Sequence, residues 1–222
     1  ATYSPNGDLS WLELAMDETK WQNALDEKEW HNYRLAAWGL EGIGNREGGD
    51  CLYYAALHSL AQRGLEFPPG VVDHTDLRAL VATDLERREH EPACGGTLAT
   101  IHGHTERTWA SHVDYMAQQG VWADESCIYV LADIARCVIT VISDTGAVHV
   151  YNPTHHTSPR RNAIVLSHFA GRVGSGIHFE GTKDTGAADH AHLKRKELYA
   201  NPCQPVSSAE FPPLEFGASD HR

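Results

Sequence analysis

The order of patterns along the 222 residues predicts an α+β protein in which helices flank a small sheet. Helical spacing dominates as far as Arg136, and short β-branched runs cluster after Cys137. Between them in importance is a glycine-rich stretch that feeds one cysteine into the first turn of a buried helix. At 41% apolar and 22% charged residues the chain has the composition of a soluble globular protein with one core.

The first forty residues read as helices, with Trp11, Leu14 and Ala15 on one face and Trp21, Leu25 and Trp30 on another. Four of the six tryptophans lie here, a density that suits packing against a core. Gly39 to Asp50 contains five glycines and reads as a loop. Leu52, Ala55, Ala56, Ser59 and Leu60 then repeat at helical spacing, so a helix runs from Cys51 to about Gly64. A second helix spans about Thr75 to His90, with Leu77, Leu80, Val81 and Leu85 inward, a solvated charged face and Pro92 beyond its end. A third covers about Glu106 to Gln118, and a fourth runs from Asp124 to Arg136. Cys137–Ile142, Ala147–Tyr151, Ala163–His168 and Ile177–Glu180 read as strands. Beyond Thr182 the Pro-, Ala- and Ser-rich sequence reads as a peripheral extension. The chain thus divides into a Trp-rich helical extension packed on the core (1–37), a central domain (38–181) and a C-terminal extension (182–222).

A net charge of −12, with no basic stripe, excludes a simple nucleic-acid binder. No apolar run approaches the roughly 20 residues that span a bilayer, so no membrane partner is expected. No signal peptide is visible, and the absence of an initiator Met points to a trimmed chain. Five cysteines without a C-x-x-C pair argue against a disulfide framework and a thiolate zinc site, and for reduced thiols in a cytoplasmic setting, whether in the producing cell or, as a delivered effector, in a host. The pairs His102-x-His104, His155-His156 and His190-x-His192 lack the acidic or cysteine company of a metal site, so no metal or cofactor is expected.

Glu47-Gly48-Gly49-Asp50-Cys51-Leu52 is the sharpest local feature. A cysteine at a helix start has its thiolate favoured by the terminal N–H groups, and amides of Gly49, Asp50 and Cys51 could turn inward as an oxyanion hole. A lone cysteine is equally at home as a small buried hydrophobe. A nucleophile needs a base, and of 15 histidines His178 stands out because it opens a short strand after Gly174-Ser175-Gly176. Glu180, two residues on, shares its face and could orient the imidazole.

These segments resemble the ovarian-tumour (OTU) cysteine proteases, most of which are deubiquitinases. The family's D-G-(N/D)-C-L-F-x-A motif is similar to Gly48-Gly49-Asp50-Cys51-Leu52-Tyr53-Tyr54-Ala55. Its W-G-x-x-x-E-L block resembles Trp122 to Ala132, and its closing H-(Y/F/W)-(D/N) resembles His178-Phe179-Glu180. The chain departs in carrying Gly48 where the family has Asp, and Glu180 where it has Asp or Asn.

The resemblance implies a papain-like fold and acyl transfer, with Cys51 as nucleophile, His178 as base, Glu180 as orienting group and the Gly49–Asp50 loop holding the oxyanion. It also implies ubiquitin, polyubiquitin or a ubiquitin-like protein as partner, and Trp122 as a core residue. Two rival readings remain: a ubiquitin-binding module without catalysis, suggested by Gly48, and a protease that processes its own larger polyprotein or toxin.

Overall fold

The computed structural model describes residues 31–32, 34–36, 38–45, 48–93, 96–101, 107–155, 162–169 and 178–185. Trp11, Trp21, Trp30, the 174–176 stretch and the tail after 185 lie outside the described residues, and with them most of the expected extensions. The elements follow in the order β1 (Leu40–Ile43), α1 (Cys51–Gln62), α2 (His74–Leu85), β2 (Pro92–Ala93), β3 (Gly96–Thr97), α3 (Leu98–Ile101), α4 (Trp109–Met116), α5 (Glu125–Ile134), β4 (Val138–Ser143), β5 (Val148–Tyr151), β6 (Ala163–Phe169) and β7 (His178–Asp184).

The α+β expectation is met by a five-stranded sheet of order β1-β7-β6-β4-β5, beside a two-stranded β2–β3 ribbon. Only β4 and β6 run parallel; the other neighbours in the large sheet are antiparallel. One face of the sheet carries α1. Leu52, Ala55, Ala56 and Leu60 of that helix join Ile139, Val141, Ile164, Leu166 and Phe179 in the main core, which continues into α2, α4 and α5. Each of these side chains is at most 5% exposed, so burial of this layer is the largest favourable contribution to folding. The Ser59 hydroxyl donates to the Val165 carbonyl at 3.2 Å and accepts from the Thr182 amide at 3.0 Å, fastening α1 to β6 and β7. A smaller cluster of Leu35, Trp38, Leu40, Ile142, Val148 and Val165 forms separately from this core.

Helix starts follow their caps. Asp73 and Asp76 form a capping box at α2, the Thr108 hydroxyl accepts from the Ser111 amide at α4, and Asp124 accepts from the Ser126 amide at α5. Three expectations need correction. The glycine-rich segment is not all loop, since Leu40–Ile43 forms an edge strand paired with Gly181–Asp184. Helix α2 stops at Leu85 rather than near His90, and its charged face is not simply solvated: Arg78 and Asp84 are 1% and 5% exposed, and Arg88 just beyond its end is 9% exposed. The last strand continues through Asp184 rather than ending at Glu180, because Thr182 is buried and pairs with Gly42.

His31 lies fully buried, with Nε2 2.5 Å from the Ser167 hydroxyl and its ring edge-on to Phe169. Burial lowers its pKa from 6.5 to about 4; Asp144 opposes the shift, while Arg34 and His168 add to it. Above pH 6.5 the ring is neutral in both folded and unfolded chains and contributes no pH dependence. Between pH 6.5 and 4 only the unfolded chain takes up the proton, so stability falls with acidification by up to about 3 kcal/mol. Urea unfolding followed from pH 7 to 4.5 should show this loss, and His31→Gln should flatten the slope by about one proton. Equal slopes in the two proteins would refute the assignment.

Candidate active site

Asp50 precedes α1 with φ −92° and ψ 1°, and its carboxylate makes no capping bond to the helix. It is turned aside to Arg78, whose Nε donates to Oδ1 at 2.7 Å, and to the Gly120 amide, which donates to Oδ2 at 3.0 Å. The guanidinium, 1% exposed, also donates to three carbonyls: Met116 at 2.7 Å, Gly49 at 2.6 Å and Val121 at 2.6 Å. It lies over the Tyr53 ring, 4.5 Å from the centroid. The two glycines before Asp50 have separate reasons. Gly48 has φ +135°, a conformation that an L-residue side chain rarely permits. Gly49 passes so close to the 120–121 turn that a Cβ would lie 2.0 Å from the Gly120 oxygen.

Cys51 is 2% exposed at the first position of α1. Its Sγ accepts from the Phe179 amide at 3.3 Å, which sets the sulfur against the start of β7. Burial pushes the Cys51 thiol up, more than the amides of Phe179, Leu52 and Cys51 itself pull it down, and Asp50 adds to the rise. The expected depressed pKa is therefore not found, because desolvation outweighs the helix terminus. The Cys51 amide is also already engaged, donating to the Gly48 carbonyl at 3.1 Å.

His178 and Glu180 share a face of β7, as strand alternation requires. His178 Nε2 lies 3.6 Å from Glu180 Oε1, close but beyond a normal hydrogen bond. His178 Nδ1 is buried, with no hydrogen-bond partner among the described residues. Asn45 joins the two halves, its Nδ2 donating to the Phe179 carbonyl at 2.8 Å and to the Cys51 carbonyl at 3.2 Å. The loop carrying Gly49, Asp50 and Cys51 thus meets β7 at Phe179, between His178 and Glu180.

Sequence reasoning missed Arg78 and Asn45. Arg78 adjoins the apolar stripe Leu77–Val81–Leu85, and its partner Asp50 is distant in sequence, so only the packing of α2 against the loop reveals the pair.

Trp122 corrects another expectation. It is 37% exposed rather than core, next to the Val121 carbonyl held by Arg78. Trp122→Ala should therefore cost well under the roughly 3–5 kcal/mol of a core tryptophan. A fall in melting temperature of the size expected for a core tryptophan would return the ring to a packing role.

Away from this centre, Glu91, Asp133 and His155 bring ligand atoms within 4.8 Å of one another. Arg88 already occupies that cluster, donating to Asp133 at 2.6 Å and Glu91 at 3.3 Å, and His155 Nε2 lies 2.9 Å from Glu91. It is a polar network hydrogen-bonded around the Arg88 guanidinium.

A cysteine at the head of a helix beside a histidine strand, within an α+β core, defines a cysteine protease of papain-like architecture. The OTU-like cysteine protease family model matches residues 46–179, more than half of the chain, and the protein belongs to that family. The sequence matches none of the curated proteins. Among solved structures, the OTU domain of OTUD1 is similar in fold at TM-score 0.51 and 16% identity, covering 71% of this chain and 95% of that one. An OTU deubiquitinase from Wolbachia pipientis wMel gives TM-score 0.46 at 13% identity, over 71% of this chain and 96% of its own. An OTU deubiquitinase from Wolbachia pipientis wMel bound to ubiquitin gives TM-score 0.47 at 14% identity, over 68% of this chain and 99% of its own. Among the described residues no helix is long and apolar enough to cross a membrane.

Proposed function

We propose that the chain is a deubiquitinase, hydrolysing the peptide or isopeptide bond after the C-terminal glycine of ubiquitin or a ubiquitin-like protein. The observation that carries this reading, together with family membership, is the Phe179 amide on Cys51 Sγ at 3.3 Å, which sets the thiol beside the strand that His178 opens.

Cys51 is the nucleophile. Burial pushes its thiol up, so attack on the carbonyl calls for a base to take the thiol proton. With Nε2 turned toward Glu180, Nδ1 of His178 is the nitrogen left to receive it. Sulfur adds to the carbonyl carbon, the carbonyl π electrons move to oxygen, and the loop amides of Gly49 and Asp50 stabilise the oxyanion. Collapse of the adduct expels the amine, which takes the proton back from His178. Water, deprotonated by the same imidazole, then cleaves the thioester and restores the thiol. Glu180 orients the ring and stabilises its charged form.

A ubiquitin probe ending in an electrophile tests the reading directly. Covalent labelling at Cys51, followed by cleavage in a diubiquitin panel, is expected. A complex without a covalent bond would make the protein a binding module, and no engagement at all would leave self-processing of a larger chain.

A further inference from the structure

Four of the bonds around the Cys51 loop come from one side chain, and their consequence is directional. The trans peptide sets a carbonyl and the following N–H on opposite sides of the bond. Because Arg78 Nη2 holds the Gly49 carbonyl at 2.6 Å, the Asp50 N–H is turned to the side away from the guanidinium. The charge pair with Asp50 Oδ1 and the Gly120 amide on Oδ2 fix the residue on the other side of that peptide. The Cys51 amide is committed to Gly48, so Asp50 presents the amide whose direction Arg78 sets. At Gly48, where the OTU motif has an aspartate, this chain has no side chain to order the loop.

We propose that Arg78 is a positioning residue for the oxyanion site: by pinning the Gly49–Asp50 peptide it aims the Asp50 N–H at the carbonyl oxygen of the scissile bond, and so orders the loop in place of a carboxylate at position 48. The proposal rests on the hydrolase reading above. It makes Arg78 act on the transition state through the peptide, not on substrate affinity or on the thiol. Lysine cannot replace it, since a single compact ammonium cannot span a carboxylate and three carbonyls that a planar fork reaches together.

The test uses the full chain and Arg78→Lys, with four readouts. On a ubiquitin C-terminal fluorogenic amide, kcat should fall about 100-fold with KM within a few-fold, the size of effect seen when an oxyanion donor is lost. Affinity for ubiquitin aldehyde, whose adduct with Cys51 carries the tetrahedral oxygen, should fall in parallel. Affinity for free ubiquitin, and the rate of Cys51 alkylation by iodoacetamide, which forms no oxyanion, should stay within a few-fold of wild type. A merely structural Arg78 would lower all four together, and unchanged kcat in folded Arg78→Lys would equally overturn the proposal. If Arg78→Lys does not fold, Asp50→Asn, which weakens the same clamp, is expected to separate aldehyde affinity from alkylation in the same direction; wild-type values for both would overturn it. Failure of the hydrolase reading is seen independently, as a wild-type protein that alkylates at Cys51 but neither cleaves the reporter nor binds the aldehyde.

Discussion

Cys51→Ala should reduce hydrolysis of a ubiquitin C-terminal fluorogenic substrate to background, a loss of about 10⁴-fold or more. The chemistry has no second nucleophile among the described cysteines. Cys127 and Cys137 are fully buried, and burial pushes both thiols up to about 12, far from any reactive form at neutral pH. Cys127→Ala and Cys137→Ala should therefore retain turnover wherever they fold. The Cys51 variant should keep its fold, because removing one sulfur at a loop–helix junction leaves Leu52, Ala55 and Leu60 packed as before. It should also keep its affinity for ubiquitin. Residual activity above a small fraction of wild type in Cys51→Ala would remove the assignment, since every other role at the site depends on that sulfur.

The second large effect concerns Glu180, 4% exposed on β7. Its carboxylate lies close to His178, yet at 3.6 Å it is beyond a normal hydrogen bond. An orienting carboxylate at that range assists the imidazolium without defining it alone. Glu180→Ala should lower kcat by roughly 10- to 1,000-fold, on the order of 1.4 to 4 kcal/mol of transition-state stabilisation, with KM little changed. Glu180→Gln should recover part of the loss by keeping a hydrogen-bond acceptor. Wild-type kcat in Glu180→Ala, with His178→Ala inactive, would make Glu180 a buried structural carboxylate.

Much of the site was legible before any coordinates. Gly48-Gly49-Asp50-Cys51 before a helical repeat located the nucleophile candidate, and His178-x-Glu180 in a short strand located its neighbours, because motif spacing and strand alternation are local properties. The electrostatics were not legible. The helix start at Cys51 suggested a low thiol pKa, whereas the sign of the shift depends on how completely Phe179 and the surrounding core exclude water. Burial is a sum over contacts distant in sequence, so no local pattern reports it. Trp122 shows the same limit in reverse, an aromatic residue in a structural-looking block that the fold leaves 37% exposed.

By itself, then, the sequence determined the class of fold, the main helices that precede the late strands β4 to β7, and the candidate residues for acyl transfer, since periodicity and glycine placement are written in consecutive residues. The tertiary structure alone decided what holds them in working order. Leu40–Ile43 becomes a strand only because β7 offers it an edge, Asn45 becomes a clasp only where α1 and β7 meet, and Arg78 becomes the anchor of the Cys51 loop only because α2 packs beneath it. Each of these is a pairing between groups far apart in the chain, and such pairings acquire their energy only when the core excludes water from both partners.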